Sequence, residues 1–326
     1  MKYAKDTRPK GVANKAAEVL VEALPWIKNI TGKTVVIKYG GSAMVDEQLR
    51  ADVMNDIVLL KIVGVNPVIV HGGGKAITEA MDFLQLPVEF KDGQRVTTPE
   101  AMDLVRTVLM GKVNQELVEA LNEHGNFAVG VSGADAGVIV AEQASPELGR
   151  VGRITRINSP LLDDLVAGDY IPVVASVALG EDGGFYNVNA DMVAGHIAAA
   201  IGAHKVVFLT DVDGLYENFE NKDSLISNLT LFEAQYMVEN NIVSTGMIPK
   251  LKSCIHALDS GVFRAHIING ITPHSLLLEL LTSVGTTMHS TEESCTFDTH
   301  PLGNFASKLL ENRQHAASAT PNNKIF

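Results

Sequence analysis

Two glycine-rich turns offer the clearest chemistry in the sequence. Gly40 and Gly41 follow the apolar run TVVIK, which ends in Lys38, and Gly72–Gly74 follow the apolar run PVIVH. Glycine lets the backbone come close to a ligand and point its N–H groups at an anion, and a helix that starts there adds positive potential. One such turn is weak evidence, because glycine often only turns the chain after a strand. Two in the same half of the chain predict a phosphate site.

The common phosphate-binding motifs are not completed. A P-loop requires G-x-x-x-x-G-K-[ST], but Ile69 occupies the first glycine position before Gly74–Lys75, and Ile27 occupies it before Gly32–Lys33. The dinucleotide pattern G-x-G-x-x-G also fails, because Ile77 stands at its last glycine position. The turns therefore predict a phosphate site of another kind, or none.

Three charged residues extend this hypothesis. Lys38 ends an otherwise apolar strand, where a lysine is costly to bury unless it is paired, and Lys250 lies at the start of a predicted helix, where the helix dipole disfavours a cation. Each lysine alone is most simply a solvated surface residue. Together with Asp191 they form a set in which two ammonium groups flank a transferring phosphoryl group and one carboxylate holds both.

The elements around these residues alternate between strand and helix. Strands over 34–38 and 67–70, each followed by a glycine turn and a helix, are typical of a parallel sheet. An amphipathic helix is predicted over 12–30, and Pro25 predicts a kink or break in it. Further predictions are a hairpin over 86–97, helices over 49–63, 75–84, 99–124, 160–167, 190–201, 231–240, 249–259 and 274–281, and strands over 128–131, 137–140, 171–178, 205–210 and 266–268.

Composition excludes several classes of protein. The 326 residues suffice for two domains or one large α/β unit, and a net charge of -12 makes nucleic acid a poor partner. Two cysteines exclude a disulfide scaffold and a C-x-x-C metal site. No apolar run approaches the ~20 residues of a membrane span, and no secretory signal is recognisable. We expect a cytoplasmic protein that does not bind membranes.

Six segments resemble the amino-acid kinase family in order and spacing. They are VIKYGG at 36–41, VIVHGGG at 68–74, DGQRVT at 92–97, NVNADMVA at 187–194, FLTDVDGL at 208–215 and STGMIPK at 244–250. DGQRVT, NVNAD and GMIPK resemble the N-acetylglutamate kinases within it. The resemblance implies a three-layer α/β/α fold with a mainly parallel open sheet, preceded by an N-terminal helix. It also implies transfer of the ATP γ-phosphoryl group to the side-chain carboxylate of N-acetyl-L-glutamate, in arginine biosynthesis.

The resemblance assigns the catalytic roles to Lys38, Lys250 and Asp191. Lys38 would contact the transferring phosphoryl group, Lys250 would act on the nucleotide side, and Asp191 would orient both. The N–H groups of Gly40, Gly41 and Gly73 would hold phosphoryl oxygens, with Gly72 and Gly73 also touching the substrate.

The remaining substrate contacts follow from the same resemblance. Arg95 would grip a carboxylate of N-acetylglutamate, a bidentate task suited to guanidinium, Asn187 would contact the substrate, and Asp211 would lie near ATP. A carboxylate acceptor, with a reference pKa of ~4.3, is already ionised at neutral pH and needs no general base. Mg²⁺ is expected to arrive bound to ATP, with no metal site built from protein side chains alone.

Four segments are expected along the chain. Residues 1–30 would form an N-terminal helix for oligomerisation and regulation, 31–200 the N-acetylglutamate lobe, 201–290 the ATP lobe, and 291–326 a partly disordered tail. Family members with such a helix resemble arginine-inhibited hexamers built as trimers of dimers, and a nitrogen-signalling partner is possible in this family. The arginine site would comprise Trp26, His266, Glu279 and Gly285. The alternative is that 274–288 is an ordinary helix and turn packing on the sheet.

Two other functions stay open. One is another amino-acid kinase, acting on glutamate, aspartate, carbamate or a nucleoside monophosphate, although DGQRVT and NVNAD argue against it. The other is a catalytically silent arginine-binding or partner-binding subunit, against which the presence of Lys38, Asp191 and Lys250 argues.

Overall fold

The computed structural model describes residues 10–44, 46–216, 221–244, 246–282 and 287–289. The chain divides into two units, Met1–Ser290 and Thr291–Phe326. The second unit, for which a partly disordered tail is predicted, lies outside the described residues, as does Gly285. In the described part of the chain, no helix has the length and apolar character needed to cross a membrane.

Helices and strands alternate along most of the first unit. The α-helices are α1 Lys10–Ile30, α2 Glu47–Ile62, α3 Gly74–Phe83, α4 Pro99–Thr107, α5 Gln115–Asn122, α6 Pro160–Ala167, α7 Ala190–Ala200, α8 Leu231–Glu239, α9 Ile248–Asp259 and α10 Ser275–Leu281. The strands are β1 Thr34–Tyr39, β2 Asn66–His71, β3 Phe90–Lys91, β4 Gln94–Arg95, β5 Ala128–Ser132, β6 Ile139–Gln143, β7 Gly152–Ile157, β8 Ile171–Ala175, β9 Val177–Gly180, β10 Phe185–Asn187, β11 Lys205–Thr210, β12 Leu215–Tyr216, β13 Leu225–Ile226, β14 Asn228–Thr230, β15 Arg264–Asn269 and β16 Thr287–His289.

Eight strands form the main sheet in the order β14-β16-β15-β11-β1-β2-β8-β5. Neighbouring strands run parallel except β15 and β16, which are antiparallel. Val35, Ile37 and Tyr39 of β1 belong to the core that α2 and α10 share. Because side chains alternate along a strand, Val36 and Lys38 face the other helical layer, where α7 and α9 pack. The predicted three-layer fold with a mainly parallel sheet is confirmed.

Pro25 does not break the N-terminal helix, so that part of the prediction is wrong. The helix α1 runs unbroken through Pro25. Proline removes one backbone hydrogen bond from a helix interior. The turn that follows is held by packing, because Trp26 and Ile27 contact the core and Ile30 is buried in it.

The prediction of one continuous strand over 171–178 is also wrong, because the strand divides at Ser176. Ser176 donates its N–H to His71 and accepts from Val188, and the chain then leaves the main sheet. Beyond this point β9 joins a second sheet in the order β10-β9-β6-β7. That sheet was not predicted, because no residue of β7 is fully buried and β10 has only three residues.

Candidate active site

The predicted site residues gather at one edge of the main sheet. The strands β1, β2 and β11 run parallel to one another. The turns at Gly40–Gly41 and Gly72–Gly74, and Asp211 after β11, therefore emerge at the same carboxyl edge. Ligands of open α/β sheets bind at this edge.

Asp191 joins two lysines that are distant in sequence. The Nζ atom of Lys38 forms an ion pair with Asp191 Oδ1 at 3.0 Å, and the Nζ atom of Lys250 donates a hydrogen bond to Oδ2 at 3.1 Å. The exposed fractions of the three side chains are small, at 12% for Lys38, 9% for Asp191 and 17% for Lys250. The structure thus brings the three predicted catalytic residues together, with a combined charge of +1.

The position of Asp191 is fixed by the start of α7 and by α9. Asn189 caps α7, and its side chain accepts hydrogen bonds from the N–H groups of Asp191 and Met192 at 2.8 and 3.2 Å. Ser253 of α9, fully buried, donates to the backbone carbonyl of Asp191. A side chain at Gly195 would collide with Ser253, so glycine allows α7 and α9 to approach closely. Sequence reasoning missed Ser253, because a serine inside a helix has no distinguishing pattern.

Asp191 stays ionised although it is buried. Burial raises the pKa of its carboxyl, but the Lys38 and Lys250 ammonium groups outweigh burial and hold that pKa below its usual value. The carboxylate can therefore keep both ammonium groups in place at neutral pH.

The turn after β1 forms around the Lys38 side chain. A Cβ at Gly40 would lie 2.7 Å from Lys38 Nζ, so glycine is needed to leave the ammonium group its position. Gly41 has a φ of +76°, which favours glycine, and it begins a short 3₁₀ turn, Gly41–Met44.

The turn after β2 is packed between helices. Gly73 precedes α3, and a Cβ there would lie 2.6 Å from Leu109 Cδ2 and 3.2 Å from Val113 Cγ2. A Cβ at Gly72 would lie 3.4 Å from the Cβ of Ala190, the residue before Asp191. The turn therefore adjoins the lysine–aspartate set, at the N-terminus of α3.

Arg95 reaches this second turn from the β3–β4 hairpin. Its guanidinium donates to the Gly74 carbonyl at 2.9 Å and to Thr78 Oγ1 at 2.6 Å, and it lies 4.7 Å from the centre of the Phe90 ring. Burial lowers the pKa of Arg95, and the nearby Asp82 opposes this. A guanidinium of this kind remains cationic, so a positive charge lies at the glycine turn.

Asn187 is linked to Arg95 through Thr97. The Asn187 side chain donates to Thr97 Oγ1 at 3.2 Å, and Thr97 Oγ1 donates to the Arg95 carbonyl at 3.0 Å. Thr97 is fully buried. Its side chain joins Arg95 and Asn187, both predicted to bind the substrate. Sequence reasoning did not find this role, although Thr97 lies within the DGQRVT segment.

Lys250 also lines a cavity of about 310 Å³. The cavity lies between residues 210–216, which end and follow β11, and residues 242–250, which lead into α9. Asp211, the residue predicted to lie near ATP, is one of the residues that line it. Lys250 therefore contacts both this cavity and Asp191.

The residues predicted for arginine occupy a separate region. His266 Nδ1 lies 2.5 Å from Glu279 Oε1, and both side chains are buried. Burial lowers the pKa of His266, and the Glu279 carboxylate opposes this. Trp26 packs against the core from α1, a helix that contacts α10, where Glu279 lies. Of the predicted set, Gly285 lies outside the described residues.

Solved structures share this fold. A protein named smu.665 from Streptococcus mutans superposes with a TM-score of 0.67 at 29% identity, covering 79% of this chain and 99% of that chain. Carbamate kinase from Giardia lamblia superposes with a TM-score of 0.60 at 13% identity, covering 80% of this chain and 99% of that chain. At that identity the likeness concerns the fold alone.

Sequence comparison identifies closer relatives. The model of the amino acid kinase family matches residues 33–269. Acetylglutamate kinase from Caldanaerobacter subterraneus is 51% identical over 82% of this chain and 91% of its own length. Acetylglutamate kinase from Bifidobacterium longum is 47% identical over 84% of this chain and 92% of its own length. The chain therefore belongs to the amino acid kinase family and, within it, to the acetylglutamate kinases.

Proposed function

We propose that this chain transfers the γ-phosphoryl group of ATP to the side-chain carboxylate of N-acetyl-L-glutamate, giving N-acetyl-L-glutamyl 5-phosphate. The observation that carries the proposal is the Asp191 carboxylate, which holds Lys38 and Lys250 beside two glycine turns. The relatives at about half identity are acetylglutamate kinases, whereas the likeness to carbamate kinase is confined to the fold.

The chemistry requires positioning more than proton transfer. The acceptor carboxylate is already a nucleophile at neutral pH, so the barrier arises from bringing two anions together and from the charge on the transferring group. Lys38 would neutralise that charge, and the N–H groups of Gly40, Gly41 and Gly73 would donate to the phosphoryl oxygens. Asp191 would keep the two ammonium groups apart and correctly aimed.

Mg²⁺ would act together with the nucleotide. Among the described residues, no group of three or more His, Cys, Asp or Glu is arranged to hold a metal ion. The ATP phosphates would supply most of the ligands of Mg²⁺, as is common for this ion. Bound there, the ion would neutralise phosphate charge, while Lys250 would meet the same phosphates from the protein side.

The amino-acid substrate would lie over the second turn. Arg95 brings a cation to Gly74, and Asn187 is fixed to it through Thr97. These residues would bind the α-carboxylate and the amide of N-acetylglutamate, with Gly72 and Gly73 beneath its side-chain carboxylate. The cavity beside Asp211 would take the nucleotide. This assigns residues 31–200 to the amino acid and most of 201–290 to ATP.

Feedback inhibition by L-arginine is the regulatory part of the proposal. Glu279 would pair with the guanidinium of arginine, with His266 beside it. Gly285 would offer backbone contacts, and Trp26 would be the α1 residue at this site. The α1 helix exposes Val19, Leu20, Val21 and Leu24, each by more than half. This apolar stripe supports the idea that residues 1–30 join dimers into a hexamer.

ADP release from ATP and Mg²⁺ tests the proposal. The assay is run with N-acetylglutamate, glutamate, aspartate and carbamate, each with and without arginine. Turnover with N-acetylglutamate alone, suppressed by arginine, is the expected result. Turnover that ignores arginine would remove the roles of His266 and Glu279 and leave the kinase. Turnover with another acceptor, or no turnover with N-acetylglutamate, would overturn the proposed substrate.

A further inference from the structure

The last residue of β2 is a buried histidine that touches the second turn. The Nδ1 atom of His71 lies 2.9 Å from the Gly72 carbonyl oxygen, and its Nε2 atom lies 2.9 Å from Asn114 Nδ2. Asn114 Nδ2 also donates to the carbonyl of Val173 at 2.8 Å, which fixes the orientation of the amide. Since an amide nitrogen only donates, Nε2 must accept. The proton of the neutral ring is therefore on Nδ1, which donates to Gly72.

The ring remains neutral in the physiological range. His71 is fully buried, and burial lowers its pKa to about 4, with the bond to Gly72 opposing the shift. Near neutral pH the ring therefore keeps one protonation state, and Nδ1 stays the donor and Nε2 the acceptor.

Holding the Gly72 carbonyl also fixes the next N–H group. A trans peptide is planar, with its C=O and N–H pointing in opposite directions. If the Gly72 carbonyl is turned inward to His71, the Gly73 N–H must point away from the ring. Gly73 is the N-cap of α3, so this N–H group lies at the start of that helix.

Asn114 is placed by an irregular helix. Residues Val108–Asn114 form a π-helical segment between α4 and α5, and such segments are frequent at functional sites. Leu109 and Val113 of this segment pack on Gly73, while Asn114 reaches His71. Gly130 of β5 leaves the space, because a Cβ there would collide with Asn114 Oδ1.

We propose that His71 and Asn114 are positioning residues for phosphoryl transfer, which hold the Gly72–Gly73 peptide so that the Gly73 N–H faces the reacting groups. The inference rests on the kinase activity proposed above. Neither side chain touches substrate. Both act through the peptide, so they affect turnover more than ATP binding.

Asn114→Asp tests this inference, because it keeps the shape and removes the donor to Nε2. In a neutral ring the proton moves to Nε2, the donor to Gly72 is lost, and kcat falls about tenfold with little change in the KM for ATP. An imidazolium held by the new carboxylate would keep the Nδ1 proton and therefore the rate, and it is recognised by two protonated ring nitrogens in the ¹⁵N spectrum. Asn122→Asp is the matched control on α5. It loses the bond from Asn122 to the Ala128 carbonyl but keeps the two bonds that its oxygen accepts. Equal losses of kcat in the two variants would overturn the inference.

A second pair of variants covers a failure of Asn114→Asp to fold. His71→Asn keeps a donor near the position of Nδ1, whereas His71→Leu has none. We expect His71→Asn to retain several-fold more kcat than His71→Leu. Equal kcat values would contradict the role of the donor.

Nitrogen NMR of the ¹⁵N-histidine-labelled wild-type protein gives a readout that needs no activity. The His71 resonances, assigned by their loss in His71→Asn, should show a protonated Nδ1 and a bare Nε2. A proton on Nε2 overturns the inference even in an active kinase. Absence of N-acetylglutamate turnover in the wild-type protein would instead refute the proposed function, and it would not change the NMR result.

Discussion

The two glycine turns lie at the same edge of the sheet but are held in different ways. Among the described residues, none lies within 4 Å of the position of a Cβ on Gly41, and the φ of +76° at this glycine shapes the turn. The turn after β2 is packed by Leu109, and its carbonyls at Gly72 and Gly74 are bound by side chains. The first turn therefore depends on backbone conformation, and the second depends on the volume and polarity of its neighbours.

Each turn also has its own cation, and the partners of the two cations differ. Lys38 lies over Gly40 and is paired with a carboxylate. Arg95 lies against Gly74 and donates to a carbonyl and a hydroxyl, which are neutral. An ion-paired cation is suited to neutralising charge that develops during transfer. A cation with neutral partners is suited to binding a permanent anion.

The largest expected effect comes from removing the first cation. Lys38→Ala should lower kcat by about 10²–10³-fold, the typical loss of one preorganised group that stabilises transition-state charge. The KM for N-acetylglutamate should change little. Steady-state ADP release measures both, with the exposed Lys33→Ala as the control beside β1. A rise in the KM for N-acetylglutamate without a loss of kcat would show that Lys38 binds substrate, as proposed for Arg95, and does not stabilise the transferring group.

Removing the second cation should affect binding. Arg95→Ala should raise the KM for N-acetylglutamate about 10–100-fold, because a hydrogen bond to a charged group contributes ~1.5–3 kcal/mol. The KM for ATP should stay near its wild-type value. The experiment measures both constants by varying one substrate at a time. An unchanged KM for N-acetylglutamate would remove the assigned role.

Adding volume to the packed turn should cost stability as well as rate. Gly73→Ala places a methyl group 2.6 Å from Leu109 Cδ2, and overpacking of this kind costs about 1–3 kcal/mol. The midpoint temperature of thermal unfolding and kcat should both fall. The double variant Gly73→Ala/Leu109→Ala should recover part of the rate, since the two changes share one space. Strict additivity of the two losses would show that the turn is not held by this contact.

The smallest effect is expected at the open turn. Gly41→Ala meets no neighbour in the part of the chain that the structure describes, but it must adopt a left-handed backbone, which costs about 1–2 kcal/mol. Gly41→Asn should cost less, because asparagine tolerates that conformation. Thermal unfolding of the two variants gives the comparison. If asparagine and alanine destabilise equally, volume rather than conformation governs this turn as well.

The sequence alone predicted the parts of the site that have strong local signals. Glycine after an apolar strand located both turns, and a lysine at the end of an apolar strand singled out Lys38. The parallel sheet then explains why these features meet. Lys250 and Asp191 gained significance only as a set, and the structure places their side chains in contact.

The supporting residues could not be predicted, because their roles depend on tertiary contacts. Ser253, Thr97 and Asn114 are ordinary polar residues in the sequence, and each acquires a partner that is distant in the chain only when separate elements pack. The π-helical segment is similar, since residues 99–124 have the pattern of a regular helix. In the second sheet β9 and β10 have only four and three residues, and β7 has no fully buried residue that would give it an apolar signal.

The contact between Lys38, Asp191 and Lys250 has a consequence for the synthesis of the protein. Its members come from the first strand, the middle of the chain and a late helix. A nascent chain on the ribosome cannot assemble the catalytic charge set until α9 has emerged and docked on α7. Contacts of such long sequence separation form late in folding. Catalytic activity would therefore report completion of the whole domain, and no shorter N-terminal fragment would hydrolyse or transfer phosphate prematurely.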